Sequence, residues 1–269
     1  MEKFAIIYDF DFTLSTNDSP FFSLFPFYEI DGKEFFKKTE EERVKNDMDS
    51  IIGYLYSTYK MALEKGKPLT REILYSAGKN IKFYDGVLGW FDRINQFGRE
   101  NGFEIEHYII SSGISEIIEG CAISSKFKKI FASSYHYDEN GFADWPLSAI
   151  NYTNKTQFIF RINKGILNNC DDHILNGYMP KEKRAVDYKN MIYIGDGFSD
   201  IPCMKTMRDK GGFSIGVYGE NSSVADGLIE NKRCNRIAKA DYRAGQELEK
   251  IVQERILTLK NNKKMNNYT

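Results

Sequence analysis

Short apolar runs set far apart constrain this chain more than any other feature. Phe4 to Tyr8, Ile105 to Ile110, Ile130 to Ser134, Met191 to Ile194 and Phe213 to Tyr218 are each a few residues long. Most are followed by small or acidic residues, and helical spacing fills most of the sequence between them. Continuous apolar strands alternating with amphipathic helices dictate an α/β fold with a parallel sheet covered on both faces. From 85 to 102, for instance, Val87, Trp90, Phe91, Ile94 and Phe97 keep helical spacing, with Asp85 placed to cap the start and Gly102 just past the end. A last helix is predicted to start near Asp241 and to run through Leu248, Ile251, Val252 and Ile256.

Residues 15–84 follow a different pattern. A loop of small polar residues (Ser15 to Ser19) leads into the aromatic stretch Phe21 to Tyr28. Helical patterns follow, first with Phe36, Val44 and Met48, then with Ile51, Ile52, Leu55, Tyr59, Ala62 and Leu63 up to Gly66, and finally behind Thr70 with Ile73, Leu74 and Ala77. With no strand pattern of comparable strength, this span reads as a helical cap inserted between the first and second strands. The core is then 1–14 together with 85–260, and 261–269 is a polar, flexible tail. A hairpin is expected where Phe131 to Asp138 and the residues from Phe142 flank Glu139-Asn140-Gly141, which has Asn-Gly turn chemistry.

The first strand runs directly into Asp9-Phe10-Asp11-Phe12-Thr13-Leu14. Strand side chains alternate with a period of two, so Asp9 and Asp11 should lean toward one space beyond the strand end. Two acids held that close repel unless a cation joins them or one stays protonated. An exposed Asx turn satisfies the same letters. A second acidic cluster, Gly195-Asp196-Gly197-Phe198-Ser199-Asp200, follows Met191 to Ile194. Ligands of open α/β sheets bind outside the carboxyl ends of the strands, and two acidic clusters there would offer the oxygen ligands that Mg²⁺ prefers. A plain loop is the alternative. The strand ending at Ile110 continues into Ser111-Ser112-Gly113, and a helix begins near Ser115. A hydroxyl, free amides and a helix start make an anion cradle, or simply an N-cap. Lys155 stands at the head of a helical pattern, where a cation is disfavoured by the helix dipole unless it faces an anion.

In this order, DFDFTL at 9–14, IISSG at 109–113, Lys155 before its helix and IGDGFSD at 194–200 resemble the haloacid dehalogenase superfamily of phosphohydrolases. The likeness covers roughly 1–14 and 85–220, and extends more loosely to phosphoserine-phosphatase-like members, which carry a helical cap at the same insertion point. It implies a Rossmann-like core plus that cap. The first and last motifs are specific; the serine and lysine motifs depend on their order. The interval from Lys155 to Asp196 is longer than in compact members, with an extra segment around 165–189, and that makes Lys164 a rival for the lysine role. Lys155 is preferred because it precedes its helix.

The resemblance implies a phosphatase with Asp9 as nucleophile, forming an aspartyl-phosphate, and Asp11 as the acid that protonates the leaving oxygen. Mg²⁺ is the implied cofactor, held by the side chains of Asp9 and Asp196 and the backbone carbonyl of Asp11. Asp200 either joins this set or orients waters or Lys155. Ser111, Ser112, Gly113 and Lys155 would bind the phosphoryl group. Halide leaves without a proton whereas an alkoxide needs one, so Asp11 favours phosphomonoester hydrolysis over dehalogenation. The implied partner is a small phosphorylated molecule. A phosphotransferase using the same phosphoenzyme and a catalytically silent binding protein are the alternatives. Phe21, Phe22, Phe25, Phe27 and Tyr28 either line the entrance or pack under the cap, and Arg43 and Arg71 are candidate contacts for an anionic leaving group.

Composition narrows the remaining classes. Lys plus Arg total 37 against 38 acids, so charge makes no case for nucleic acid or an anionic membrane surface. Cys121, Cys170, Cys203 and Cys234 lie far apart with no CxxC pair, as in a reduced cytoplasmic protein. The first residues lack the pattern of a signal peptide, and no run nears the ~18 apolar residues of a membrane span.

Overall fold

The computed structural model describes residues 1–266. Seven strands form one sheet in the order β4-β3-β2-β1-β5-β6-β7. They are β1 (Glu2–Tyr8), β2 (Phe103–Ile114), β3 (Lys129–Tyr137), β4 (Ala143–Ser148), β5 (Met191–Gly195), β6 (Phe213–Tyr218) and β7 (Arg236–Lys239). All neighbours pair in parallel except β3 with β4, the expected hairpin. β1 lies centrally between β2 and β5. The chain winds outward in opposite directions from that point, so a crevice opens beyond the strand ends there.

Alternation along β1 divides the interior in two. Phe4, Ile6 and Tyr8 join the core under α5 (Val87–Glu100) and α11 (Glu247–Asn266). Ala5 and Ile7 join the opposite core, with α7 (Lys155–Lys164) and α9 (Ile201–Asp209). The next residue of that second parity is Asp9. Strand geometry therefore aims the first carboxylate toward α7 and α9.

Between β1 and α5 run α1 (Leu24–Tyr28), α2 (Gly32–Lys45), α3 (Ser50–Glu64) and α4 (Arg71–Ala77). Rings of Phe21, Phe25, Phe35, Phe36 and Tyr54 pack on one another here. The hairpin braces this insertion: Tyr135 Oη donates to the Leu55 carbonyl at 2.5 Å, and the Ala143 amide donates to the Leu69 carbonyl at 2.9 Å. Phe25 and Tyr28 are buried, and Phe21 and Phe22 are half-buried against the core, so packing is their main role. Phe27 is largely exposed. The predicted apolar face of α2 is shifted: Val44 is 64% exposed and Met48 lies past the helix end, whereas Phe35 and Thr39 are buried.

Several expected boundaries move. The cap of α5 is Gly86 rather than Asp85, whose carbonyl instead accepts the Tyr242 amide. The last helix starts at Glu247; before it, Tyr242 is tied to other segments, its amide on the Asp85 carbonyl and its hydroxyl on the Thr13 carbonyl. That helix runs to Asn266, through most of the expected tail; Ile251, Val252, Ile256 and Leu259 anchor it, and propagating a nucleated helix needs little further support. Positions 267–269 of that tail lie outside the described residues. β7 escaped prediction, being short with two charged ends. The remaining helices are α6 (Ser115–Glu119), α8 (Asp172–Asn176) and α10 (Ser223–Glu230). Among the described residues no helix is long and apolar enough to cross a membrane.

Candidate active site

The β1 register pairs Tyr8 with Ile109 on one side and Ile194 on the other. The three motif-bearing strand ends therefore lie side by side, and the Asp9 amide continues the pairing by donating to the Ile194 carbonyl at 2.9 Å. Asp9, Asp196 and Asp200 each bring a carboxylate oxygen within 4.8 Å of the others. Lys155, the first residue of α7, is fully buried. Its Nζ lies 2.8 Å from Asp200 Oδ1 and 3.1 Å from Asp9 Oδ1. Burial pulls this ammonium down, but Asp200 and Asp9 outweigh it and push Lys155 above its ordinary range.

Burial first, and the Asp200 charge second, push the Asp9 carboxyl up; Lys155 offsets part of the rise. The same two causes, with Asp9 added, push Asp196 up. Three clustered carboxylates against one ammonium leave excess negative charge out of water. All-oxygen donors with that excess fit a hard divalent cation such as Mg²⁺. Asp200 is the least available of the three. Its Oδ1 accepts from Lys155 and from Tyr193 Oη (2.7 Å), and its Oδ2 accepts the amides of Asp196 and Gly197 at 3.2 and 3.3 Å. Asp196 is steadied by Thr13 Oγ1 at 3.2 Å.

Gly195 explains why this arrangement needs its glycine. A Cβ there would lie 2.4 Å from Asp200 Oδ2 and 2.5 Å from its Cγ. Gly195→Ala is therefore expected to drive Asp200 off both amides and disturb Lys155. Turnover should fall at least about tenfold, as for loss of a hydrogen bond to a charged group, which steady-state kinetics alongside an unfolding curve would read out.

Asp11 departs from the strand-alternation reading. After Asp9 the chain coils, with the amides of Thr13, Leu14 and Ser15 all donating to the Phe10 carbonyl and Phe12 at φ 55°. That turn breaks the period of two, so the Asp11 carboxylate is not in the Asp9–Asp196–Asp200 cluster. It faces Ser19, accepting the Ser19 amide at 2.9 Å and the Ser19 hydroxyl at 3.3 Å. Burial, then the charges of Asp18 and Asp9, push its pKa up to about 8. The ligand role implied for Asp11 uses its backbone carbonyl and does not involve this carboxylate.

β2 does not stop before Ser111. It continues through a bulge between Ile110 and Ile114, a device that re-aims side chains. Ser111 is buried, and its Oγ accepts the Gly113 amide at 3.0 Å, leaving the hydroxyl proton to donate elsewhere. Ser112 Oγ is buried without a partner. A Cβ on Gly113 would sit 3.2 Å from Ser111 Oγ and 3.3 Å from Asp11 Oδ2, so the bulge lies directly against the Asp11 carboxylate.

Asp11, Ser112 and Gly113 open onto a cavity of about 310 Å³ completed by residues of the insertion, among them Asp18, Thr39, Arg43 and Tyr54. Asp49, just before α3, accepts from Asn151 Nδ2 at 2.8 Å, and their neighbours Ser50 and Tyr152 line this cavity. Arg43 lines this cavity but is committed to Glu40 at 2.7 and 2.6 Å. Arg71 lies over the Tyr137 ring, 3.9 Å from Glu116, and does not line it. A larger cavity of about 730 Å³ lies on the Phe12 and Tyr84 side of Asp196, but Asp11 does not reach it. Lys164 is engaged elsewhere, donating to the Leu175 and Gly177 carbonyls and so tying down the segment after α7.

The sequence reading missed Thr13, Ser19, Asp18 and Tyr193. The first three sit within or just after the first motif, where proximity was the available signal. Tyr193 is indistinguishable in sequence from an ordinary strand residue.

Comparison with known proteins places these features in context. The sequence model of the family described as Putative Phosphatase matches residues 4–256. An uncharacterised protein of Borreliella burgdorferi is 29% identical, over 94% of this chain and 96% of its own. Among solved structures, a phospho-aspartyl intermediate analogue of phosphoserine phosphatase superposes with a TM-score of 0.55 at 16% identity, covering 94% of this chain and 99% of that one. A HAD family hydrolase from Salmonella enterica gives a TM-score of 0.55 at 16% identity, over 87% of this chain, which spans 66% of that protein's length. These structural likenesses concern the fold.

Proposed function

We infer the activity of this chain from a fixed starting point: it belongs to the Putative Phosphatase family, within the haloacid dehalogenase superfamily and of the phosphoserine-phosphatase-like type. We propose that it is a Mg²⁺-dependent phosphatase that hydrolyses a small-molecule phosphomonoester through an aspartyl-phosphate on Asp9. The observation that carries the reading is the buried Lys155 ammonium shared between Asp9 and Asp200, with Asp196 beside them and a separate Asp11 carboxyl facing the cavity, where burial pushes it up to about 8.

In this reading an Asp9 oxygen attacks phosphorus as the bond from phosphorus to the ester oxygen breaks, and Asp11 gives its proton to that departing oxygen. Water then attacks the phosphoryl group, Asp11 takes the proton back, and the bond to Asp9 breaks to free the carboxylate. Lys155, the Ser111 hydroxyl and the bulge around Ser112 orient the phosphoryl oxygens for in-line attack, with the Gly113 amide holding Ser111 Oγ in place. Mg²⁺ held by the carboxylates of Asp9 and Asp196 and the carbonyl of Asp11 would supply charge neutralisation to the phosphoryl group. A pKa near 8 leaves Asp11 protonated at neutral pH, as its first task requires.

The leaving group belongs in the cavity that holds the proton donor. That cavity contains the acids Asp11, Asp18 and Glu40, while its Arg43 is already paired with Glu40. Among the described residues, no side chain donates to the Asp18 carboxylate. With Asp11 protonated, Asp18 is an unbalanced negative charge in a part-buried place, which favours an alcohol bearing an ammonium group.

Phosphate release from esters carrying an ammonium, a neutral or a carboxylate group, with and without Mg²⁺, tests the reading. Mg²⁺-dependent release ranked in that order is expected; no release from any ester at millimolar Mg²⁺ would end it. Asp11→Asn offers a sharper check on the proton. An alkyl ester needs the acid and an activated aryl ester much less, so the alkyl rate should fall by about 100-fold or more while the aryl rate falls far less. Equal losses on both would remove Asp11 from the acid role.

A further inference from the structure

Building on the phosphatase reading above, we propose that Tyr193 is a positioning residue of this active site, its hydroxyl holding Asp200 so that Lys155 stays shared with Asp9. Tyr193 lies in the middle of β5, fully buried on the face that packs against α7 and α9. A buried phenol hydroxyl needs a partner, and this one donates to Asp200 Oδ1 at 2.7 Å. The same oxygen accepts from Lys155 Nζ at 2.8 Å, while the other Asp200 oxygen is taken by the amides of Asp196 and Gly197.

The hydroxyl matters because Lys155 stands between two carboxylates. An ammonium so placed moves toward the stronger acceptor, and it already lies closer to Asp200 (2.8 Å) than to Asp9 (3.1 Å). A second donor on Asp200 Oδ1 spreads that oxygen's charge and weakens its hold on Lys155. Without the hydroxyl, Oδ1 would have Lys155 alone, and Nζ would be drawn away from Asp9 and the phosphoryl group. The Tyr193 hydroxyl bonds Asp200, and acts through Asp200 and Lys155. Phenylalanine would fill the same space, so the packing of β5 against α7 and α9 does not by itself call for the hydroxyl.

The test is Tyr193→Phe in the full chain with Mg²⁺ and the ester best turned over by the wild type. Tyr108→Phe is the control: it removes an equally interior hydroxyl bond, to Glu106, away from the carboxylate cluster. For Tyr193→Phe, kcat should fall about tenfold, with KM moving less, and a crystal structure should show Nζ withdrawn beyond hydrogen-bond reach of Asp9. Tyr108→Phe should keep its kcat. The proposal is overturned if Tyr193→Phe retains both its kcat and the Lys155–Asp9 contact, or if the two variants lose turnover equally. A Tyr193→Phe protein that cannot fold also counts against it, since the hydroxyl would then be structural. Failure of the wild type on every ester would sink the phosphatase reading instead, and the Lys155 displacement would still be read from the coordinates.

Discussion

Asp9→Asn is expected to leave a folded protein that turns over no phosphate ester. Asn has nearly the same shape as Asp, so packing at the end of β1 is preserved. In the proposed reaction it lacks the anionic oxygen that would attack phosphorus, and losing a nucleophile removes a whole reaction path: the fall in kcat should be at least about a thousandfold. Stability should change in the opposite sense. Asp9 is buried beside two other carboxylates, and burial and the Asp200 charge both disfavour its ionised form. Replacing it by a neutral amide relieves part of that repulsion in metal-free protein. A chemical-denaturation midpoint equal to or above wild type in chelator, together with absent phosphate release, is the expected pair of results. Activity within tenfold of wild type would rule out Asp9 as the nucleophile, and loss of the fold would leave the charge argument wrong.

Lys155→Met should produce the second large effect and decide between the two candidate lysines. Lys155 is the ammonium bonded to both Asp9 and Asp200, and both carboxylates are buried. Taking it away leaves Asp9, Asp196 and Asp200 with no protein cation among them. Removing one partner of a buried pair typically costs about 3–5 kcal/mol, so the metal-free variant should unfold at clearly lower denaturant. Mg²⁺ should recover part of this stability, because it neutralises the same carboxylates. It should not recover turnover, which is expected to fall about a thousandfold when a positioned charge on the phosphoryl group is lost. Lys164→Met should behave differently. Its ammonium binds two backbone carbonyls after α7 and contacts no carboxylate of the site. Losing these two hydrogen bonds should cost about 1–3 kcal/mol, with kcat close to wild type. If Lys164→Met lost turnover and Lys155→Met kept it, the assignment would reverse.

Much of this protein was legible in the chain. Each strand of the parallel sheet except the edge strand β7 announced itself as an apolar run, because a strand buried on both faces has no polar alternation to hide in. The Asn-Gly turn marked the hairpin for a local reason, since Gly141 adopts φ 80°. Asp9, Lys155, Asp196 and Asp200 could be picked out because their motifs follow one another in a set order at strand ends and a helix start, the lysine by that order alone. What sequence separation concealed is which of them meet. Asp9 and Lys155 are joined only through the β1 alternation and the packing of α7 on that face, neither of which is a local property.

Asp11 shows the limit most clearly. Period-two reasoning holds while a chain stays extended, and it assigned both acids to one space. The turn on the Phe10 carbonyl and the positive φ of Phe12 ended that regime within two residues, sending Asp11 to Ser19 and the cavity under the insertion. Tyr193 shows the complementary limit, for a hydroxyl inside an apolar run carries no sign of what it bonds. The linear order of residues settled the α/β class, the strand-end chemistry and the family resemblance, because those rest on local periodicity and short motifs. Tertiary structure alone decided the sharing of Lys155 and the separation of Asp11 from the other carboxylates, because each depends on side chains that distant segments bring within a few ångströms.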